Sequence, residues 1–401
     1  CRCHAYGEAM KVCFVTCHFP PLARTFRRYQ FARYLADAGC DVEIVAHGNV
    51  SRALGSFVDD PDTLPNDEDI PVHRPRAMPW YLTGEALFRV GAVPCSHINW
   101  LRSAINAVAR VASSPDDVIC SLYPPITDHL AAVMAARKTG ARLTLDFRDE
   151  YLGLAKGLQA PWARWCERWV VQQASLISVA TQEVASNLIA RYGLDPDNVQ
   201  LTPNGYWEMP KETSYRESEK VRIVYIGSIS AAQGLEVIFD AVEILCSRES
   251  RHAQRFEITI YGPDNHYRRN RLGPRFNKIV KYGGYLNAGA VSANIRSSDI
   301  CFLSLASSDY SYAIPGKLYE QIAHARPILG ALPQGSAQEL IERERFGLVA
   351  DPWSPEAVAE NLVTLLDYRV RESMHQNLMR ERHKYAAKPH FLALGKRLLD
   401  L

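Results

Sequence analysis

The chain has 401 residues, more than a single hydrophobic core usually serves, so two domains are expected. Apolar residues make up 47% and charged residues 22%, which excludes a disordered, collagen-like or coiled-coil chain. Lys plus Arg total 46 against 44 for Asp plus Glu, a formal charge of +2, which excludes a globally basic nucleic-acid binder but not a local basic patch.

Residues 1–9 read unlike the remainder, and Met10 stands as the expected natural start, directly before a strand at Lys11 to Thr16. A helix follows at Thr25 to Ala38, with Phe26, Tyr29, Phe31 and Leu35 apolar and Gly39 as its C-cap. Asp41 to Ala46 is a second strand, residues 48 to 80 an irregular Pro-, Asp- and Gly-rich excursion, and His97 to Ala112 a basic amphipathic helix. Strands are predicted at Asp117 to Ser121, Arg142 to Asp146, Leu176 to Ala180 and Val199 to Thr202. Pro203-Asn204-Gly205 and the charged stretch Trp207 to Lys220 mark a linker. The alternation then restarts: strands at Val221 to Ile226, Phe256 to Tyr261, Lys278 to Tyr282, Asp299 to Leu303, Pro327 to Gly330 and Gly347 to Val349, with helices at Gly234 to Leu245, 287–297, 316–325, 336–345 and 354–366. Strand–helix alternation of this kind builds parallel sheets covered on both faces, whose strand C-termini hold ligands.

Ten cysteines show no framework spacing and several sit in apolar runs, as small buried hydrophobes in a reducing compartment do. Cys1-Arg2-Cys3-His4 resembles half a zinc site, but no matching second pair follows. There is no signal-peptide core and no run of 18 apolar residues, so the expected location is cytoplasmic, with a peripheral position at the inner face of the membrane as a further option.

Four constellations carry chemistry. Ile226-Gly227-Ser228-Ile229-Ser230 with Ala232-Gln233-Gly234-Leu235 is a strand, a glycine turn and a helix start, which lets backbone approach a diphosphate; an ordinary turn has the same pattern. Pro315-Gly316-Lys317-Leu318-Tyr319-Glu320 through His324 opens a helix with Lys317, Glu320 and His324 on one face. A lysine in a first helical turn opposes the helix dipole, so a nearby anion would explain it, and Glu320 could accept the vicinal hydroxyls of a ribose. A solvated charged face is the alternative. Asp146-Phe147-Arg148-Asp149-Glu150 crowds charge at a strand end, either a salt-bridge cluster or a site. Cys17-His18-Phe19-Pro20-Pro21 puts His18 in a rigid turn after the first strand.

Together these residues resemble glycosyltransferase family 4, retaining enzymes of the two-Rossmann GT-B fold. The resemblance runs from Met10 to the C-terminus, and the Asp146-Phe147-Arg148-Asp149 strand end is similar to that of a subgroup building O-antigen and capsule, including N-acetylfucosamine transferases. It implies two parallel-sheet α/β domains facing a central cleft: an acceptor-side domain at 10–203, a donor domain at 204–384 and a helix at 385–401 crossing back to the first. It further implies that Gly227, Ser228, Gln233, Gly284, Tyr285, Lys317, Leu318 and Glu320 hold the nucleotide sugar. Asp149 and His18 would serve the acceptor by positioning or proton handling. Glu320 matches the second glutamate of the family's Glu-x7-Glu signature, while Tyr312 stands where the first belongs; Ser228 and Gln233 occupy positions where Arg and Lys are common. The expected reaction is sugar transfer from a UDP-linked donor to a hydroxyl acceptor, lipid-linked or part of a cell-surface glycan, with no metal and no nucleic acid. Phe26-Arg27-Arg28-Tyr29 and Trp100-Leu101-Arg102 with Arg110 are the stretches expected to meet a membrane, with a core-packed helix as the alternative. A sugar-nucleotide epimerase of the same fold and an inactive scaffold are the rival functions.

Overall fold

The computed structural model describes residues 11–20, 26–48, 70–77, 81–210, 214–248, 250–262 and 279–400. The chain forms two compact units, residues 1–203 with 388–401 and residues 204–387. Each is built on a parallel sheet, as the alternation predicts.

In the first unit the strands are β1 (Lys11–Thr16), β2 (Asp41–Ala46), β3 (Val72–His73), β4 (Val118–Tyr123), β5 (Arg142–Phe147), β6 (Leu176–Val179) and β7 (Val199–Leu201). They lie in the order β3-β2-β1-β4-β5-β6-β7. The order reverses between β1 and β4, which pair through Val12 and Val118. Every residue of β4 is buried, as a strand covered by helices on both faces must be. In the second unit β8 (Val221–Ile226), β9 (Phe256–Tyr261), β10 (Val280–Gly284), β11 (Ile300–Ser304), β12 (Ile328–Ala331) and β13 (Gly347–Ala350) run β10-β9-β8-β11-β12-β13. The reversal falls between β8 and β11, paired at Ile223 and Ile300. Open sheets of this kind bind ligands beyond the strand C-termini at such a reversal.

The first helix is Phe26–Asp37, and Gly39 closes it at φ +90° with its amide on the Ala36 carbonyl. The irregular excursion hides β3 and runs into a helix, Tyr81–Arg89; residues 49–69 and 78–80 of it lie outside the described residues. The helix expected at His97 to Ala112 begins as a 3-10 turn at Ile98–Trp100 and continues as Leu101–Val111. After Pro203, Tyr206 exchanges backbone hydrogen bonds with Tyr385 and Ala387 at 3.1 and 2.9 Å. The C-terminal helix is Ala387–Leu399, and Phe391 packs on Phe31 with ring centroids 4.5 Å apart.

Candidate functional site

In the second unit, β8 ends in a turn that only glycine fits. Gly227 has φ +154° and donates its amide to the Tyr261 carbonyl. A Cβ on Gly262 would sit 2.0 Å from the Gly227 oxygen, and one on Gly283 would sit 1.9 Å from the Tyr261 ring. The C-terminal ends of β8, β9 and β10 thus form a rim of bare backbone. Tyr225, fully buried, donates its hydroxyl to the Ser228 carbonyl at 2.5 Å.

The helix Gly316–Ala323 opens against this rim. Lys317 Nζ donates to Tyr225 Oη at 3.1 Å and lies 4.3 Å from the centre of its ring. It would be 3.3 Å from a Cβ on Gly227. A cation from the first turn of a helix and a glycine backbone therefore meet at one point. Glu320 is half-buried one turn on; burial, with Glu208 adding, pushes its carboxyl up to about 7. His324 is buried, and burial with Arg296, Arg326 and Arg382 lowers it to about 4. It stands at the C-cap as a neutral ring, in helical conformation one turn after Glu320, its amide on the Glu320 carbonyl at 3.2 Å.

The other donor-side residues divide. Gln233 is half-buried, its side-chain oxygen bonded by Ser230 and its carbonyl by Ser304, each at 2.5 Å; it shapes the loop. Gly284 has φ +78° and Tyr285 is 50% exposed at the tip of β10. Leu318 corrects the expectation of a ligand contact. It has no exposed surface, belongs to the core with Leu303 and Ile328, and gives its amide to the Pro315 carbonyl. Tyr312 is buried at 5% exposure, so the position of the missing glutamate is filled by packing. Sequence reading counted Tyr225 in the strand-end motif with Gly227 and Ser228 but gave it no role of its own; its place two residues before the turn glycine was the available signal.

In the first unit, Asp146 and Arg148 form a buried pair, at 2% and 7% exposure. Arg148 Nε donates to Asp146 at 2.5 Å and Nη1 to the Thr202 carbonyl at 2.5 Å, while Ser178 Oγ donates to Asp146 at 2.6 Å. Their alternation onto one face serves structure. Asp149, the next residue, is half-buried. His18 is 8% exposed, and burial followed by Arg28, His97 and His47 holds it well below its ordinary pKa. A ring so held stays neutral, which counts against proton handling.

The expected membrane stretches are corrected too. Arg28 Nη1 donates to Thr16 Oγ1 and the His18 carbonyl at 2.6 and 2.8 Å, and its Nη2 to the Pro124 carbonyl at 2.6 Å, so it ties the interior together. Trp100 has no exposed surface, leaving Arg102 and Arg110 as a solvated face. Arg24 and the side chains of Phe26 and Arg27 lie outside the described residues.

Two doubly wound sheets, one carrying a cation and a glycine rim at its reversal point, define the GT-B class. Residues 25–205 match the Glycosyl transferase 4-like domain, and residues 220–368 match Glycosyl transferases group 1. The first match lies almost wholly in the first unit and the second in the second, and the fold is the GT-B fold. A D-inositol 3-phosphate glycosyltransferase of Corynebacterium glutamicum (strain R) is 26% identical over 222 residues, 51% of this chain and 52% of that protein. The chain spans about half the length of the curated relatives it matches. Anabaena Alr3699/HepE in complex with UDP superposes with a TM-score of 0.68 at 14% identity, over 98% of this chain and 100% of that one. The E. coli trehalose-6-phosphate structure bound with UDP-2-fluoro glucose gives 0.71 at 12%, over 98% and 99%. At these identities the likeness speaks to the fold.

Proposed function

We propose that the protein transfers a sugar, with retention, from a UDP-linked donor to a hydroxyl acceptor on a lipid-linked or cell-surface glycan, in the manner of O-antigen and capsule transferases. The observation that carries this is Lys317, held by Tyr225 against the Gly227 backbone. As the diphosphate leaves, charge develops on its oxygens; a fixed ammonium and helix-start amides stabilise it in a site that need not reorganise. This donor chemistry needs no metal. Glu320 accepts the ribose hydroxyls, and Gly284 with Tyr285 borders the base. Asp149 meets the acceptor hydroxyl, while neutral His18 fixes the loop after β1. The UDP-bound and UDP-glucose-bound HepE structures support a nucleotide-sugar donor. Incubation with a sugar-nucleotide panel, with and without lipid extract, tests the proposal: UDP release that rises with acceptor supports it, and epimerised donor without UDP release refutes it.

Glu320 makes the reading pH-dependent. Its folded carboxyl titrates at about 7, above its ordinary 4.5, so the folded state binds the proton more tightly. Ionising it therefore removes stability progressively as pH rises through that window. Uridine, which brings ribose hydroxyls without phosphate, should bind about tenfold more tightly at pH 8 than at pH 6, the ratio of ionised fractions for a group titrating midway. Calorimetry on Glu320→Gln should find this dependence gone; an unchanged dependence removes the ribose role.

A lipid-linked acceptor calls for a membrane-facing surface, and one patch has the chemistry. Trp162, Trp165 and Trp169 form a ladder on the helix Ala160–Val171, with centroids 6.1 and 5.8 Å apart. Trp165 is 57% exposed, Leu158 68% and Val90 65%. Exposed Lys156, Arg164 and Arg168 surround them, a pairing of amphipathic rings and cations suited to an anionic bilayer. Vesicles containing phosphatidylglycerol should sediment the protein, and the double variant Leu158→Ser, Trp165→Ser should bind about tenfold less. Equal binding of variant and parent refutes the assignment.

A further inference from the structure

We propose that Cys17, His18 and His97, with Cys95 as the fourth donor, bind a tetrahedral divalent cation of the zinc class in the first unit. The site is independent of the transfer reaction. The ligand atoms of Cys17, His18 and His97 all lie within 4.8 Å of one another, while Cys95 stands outside that group beside His97 and would be drawn in on loading. Cys95 Sγ stands 3.8 Å from His97 Nδ1, which also lies 3.2 Å from Ser96 Oγ. The two imidazoles meet edge to face, 5.1 Å between centroids.

Several observations favour a metal over simple packing. Cys17 is 1% exposed, and Cys95 and His18 are each 8% exposed; both thiols are free. Two thiols and two imidazoles are the donor set of structural zinc, and two thiolates neutralise a dication. The Cys17 segment is already anchored, its amide donating to buried Asp128 at 2.7 Å. Bonds of ~2.0–2.3 Å hold tetrahedral donors roughly 3.3–3.8 Å apart, so the trio closes by about an ångström on loading. The consequence is a clamp joining the turn after β1 to the segment leading into the helix Leu101–Val111. Neither half has a metal-binding spacing in the sequence, because Cys17-His18 and Cys95-Ser96-His97 come from distant segments.

The test uses the full chain, free of affinity tag and stripped with a chelator. Titration with Co(II) should saturate at one equivalent, with the visible bands of tetrahedral cobalt and a thiolate-to-cobalt charge-transfer band, both displaced by Zn(II). Cys17→Ser, Cys95→Ser and His97→Ala should each weaken binding at least tenfold, the loss typical of removing a metal ligand or its support. Cys246→Ser and His383→Ala, changed away from the cluster, should bind as the parent does. Circular dichroism identifies the ligand variants that stay folded, and binding is compared on those. No tetrahedral spectrum at tenfold excess of cobalt, or one unchanged in the folded ligand variants, overturns the proposal.

Discussion

Lys317→Ala should lower kcat/KM for the nucleotide sugar by ~10²–10³-fold, the usual loss when a charge-stabilising donor is removed from a developing anion. The reasoning starts from cost. A cation in a first helical turn opposes the dipole by roughly 0.3–1 kcal/mol, yet this one is fixed by Tyr225 Oη at 3.1 Å and by the ring beneath it. Its removal should therefore leave thermal stability unchanged or slightly higher while turnover collapses, a split that a structural lysine would not produce. Tyr225→Phe should lose less, since it frees the ammonium without deleting it. Binding of UDP should weaken more than binding of uridine in Lys317→Ala. Equal losses for the two ligands would show that the side chain never meets phosphate.

The second large effect is on stability. Arg148→Ala leaves Asp146 with 2% exposure and its main cationic partner gone. Breaking a buried pair from one side costs about 3–5 kcal/mol, because the remaining charge is uncompensated. The Thr202 carbonyl loses its donor as well. Urea unfolding of the purified chain reads the change, and the double variant Asp146→Leu, Arg148→Met should recover much of it. A loss below about 1 kcal/mol for Arg148→Ala would mean that the pair is solvated in solution.

These two positions show what sequence does and does not disclose. Lys317 and Glu320 were legible because helical spacing alone puts them on adjoining turns, and Asp146 and Arg148 because strand alternation puts them on one face. The spacing also placed His324 one turn after Glu320, but the burial that keeps its ring neutral, with Arg296, Arg326 and Arg382 adding, is not encoded in local periodicity. Leu318 was carried into the site by its neighbours, though its apolar side chain already pointed to the core. His18 was read as a rim residue from the prolines that follow it. It is buried, with the His97 ring edge to face at 5.1 Å between centroids, a neighbour that comes from a segment far away in the chain. Trp100 likewise left the expected lipid face because it packs beneath His47, a contact no local pattern encodes.

The glycine rim of the second unit has an evolutionary consequence. At Gly262 and Gly283 any side chain would overlap backbone or ring atoms at 2.0 Å or less, so these positions cannot drift without rebuilding the sheet ends. Recognition made there by backbone is closed to gradual change. If the rim receives the donor as proposed, new donor preferences would arise at its tolerant neighbours, such as the exposed Tyr285. Selection can vary what surrounds the rim while the rim itself stays silent.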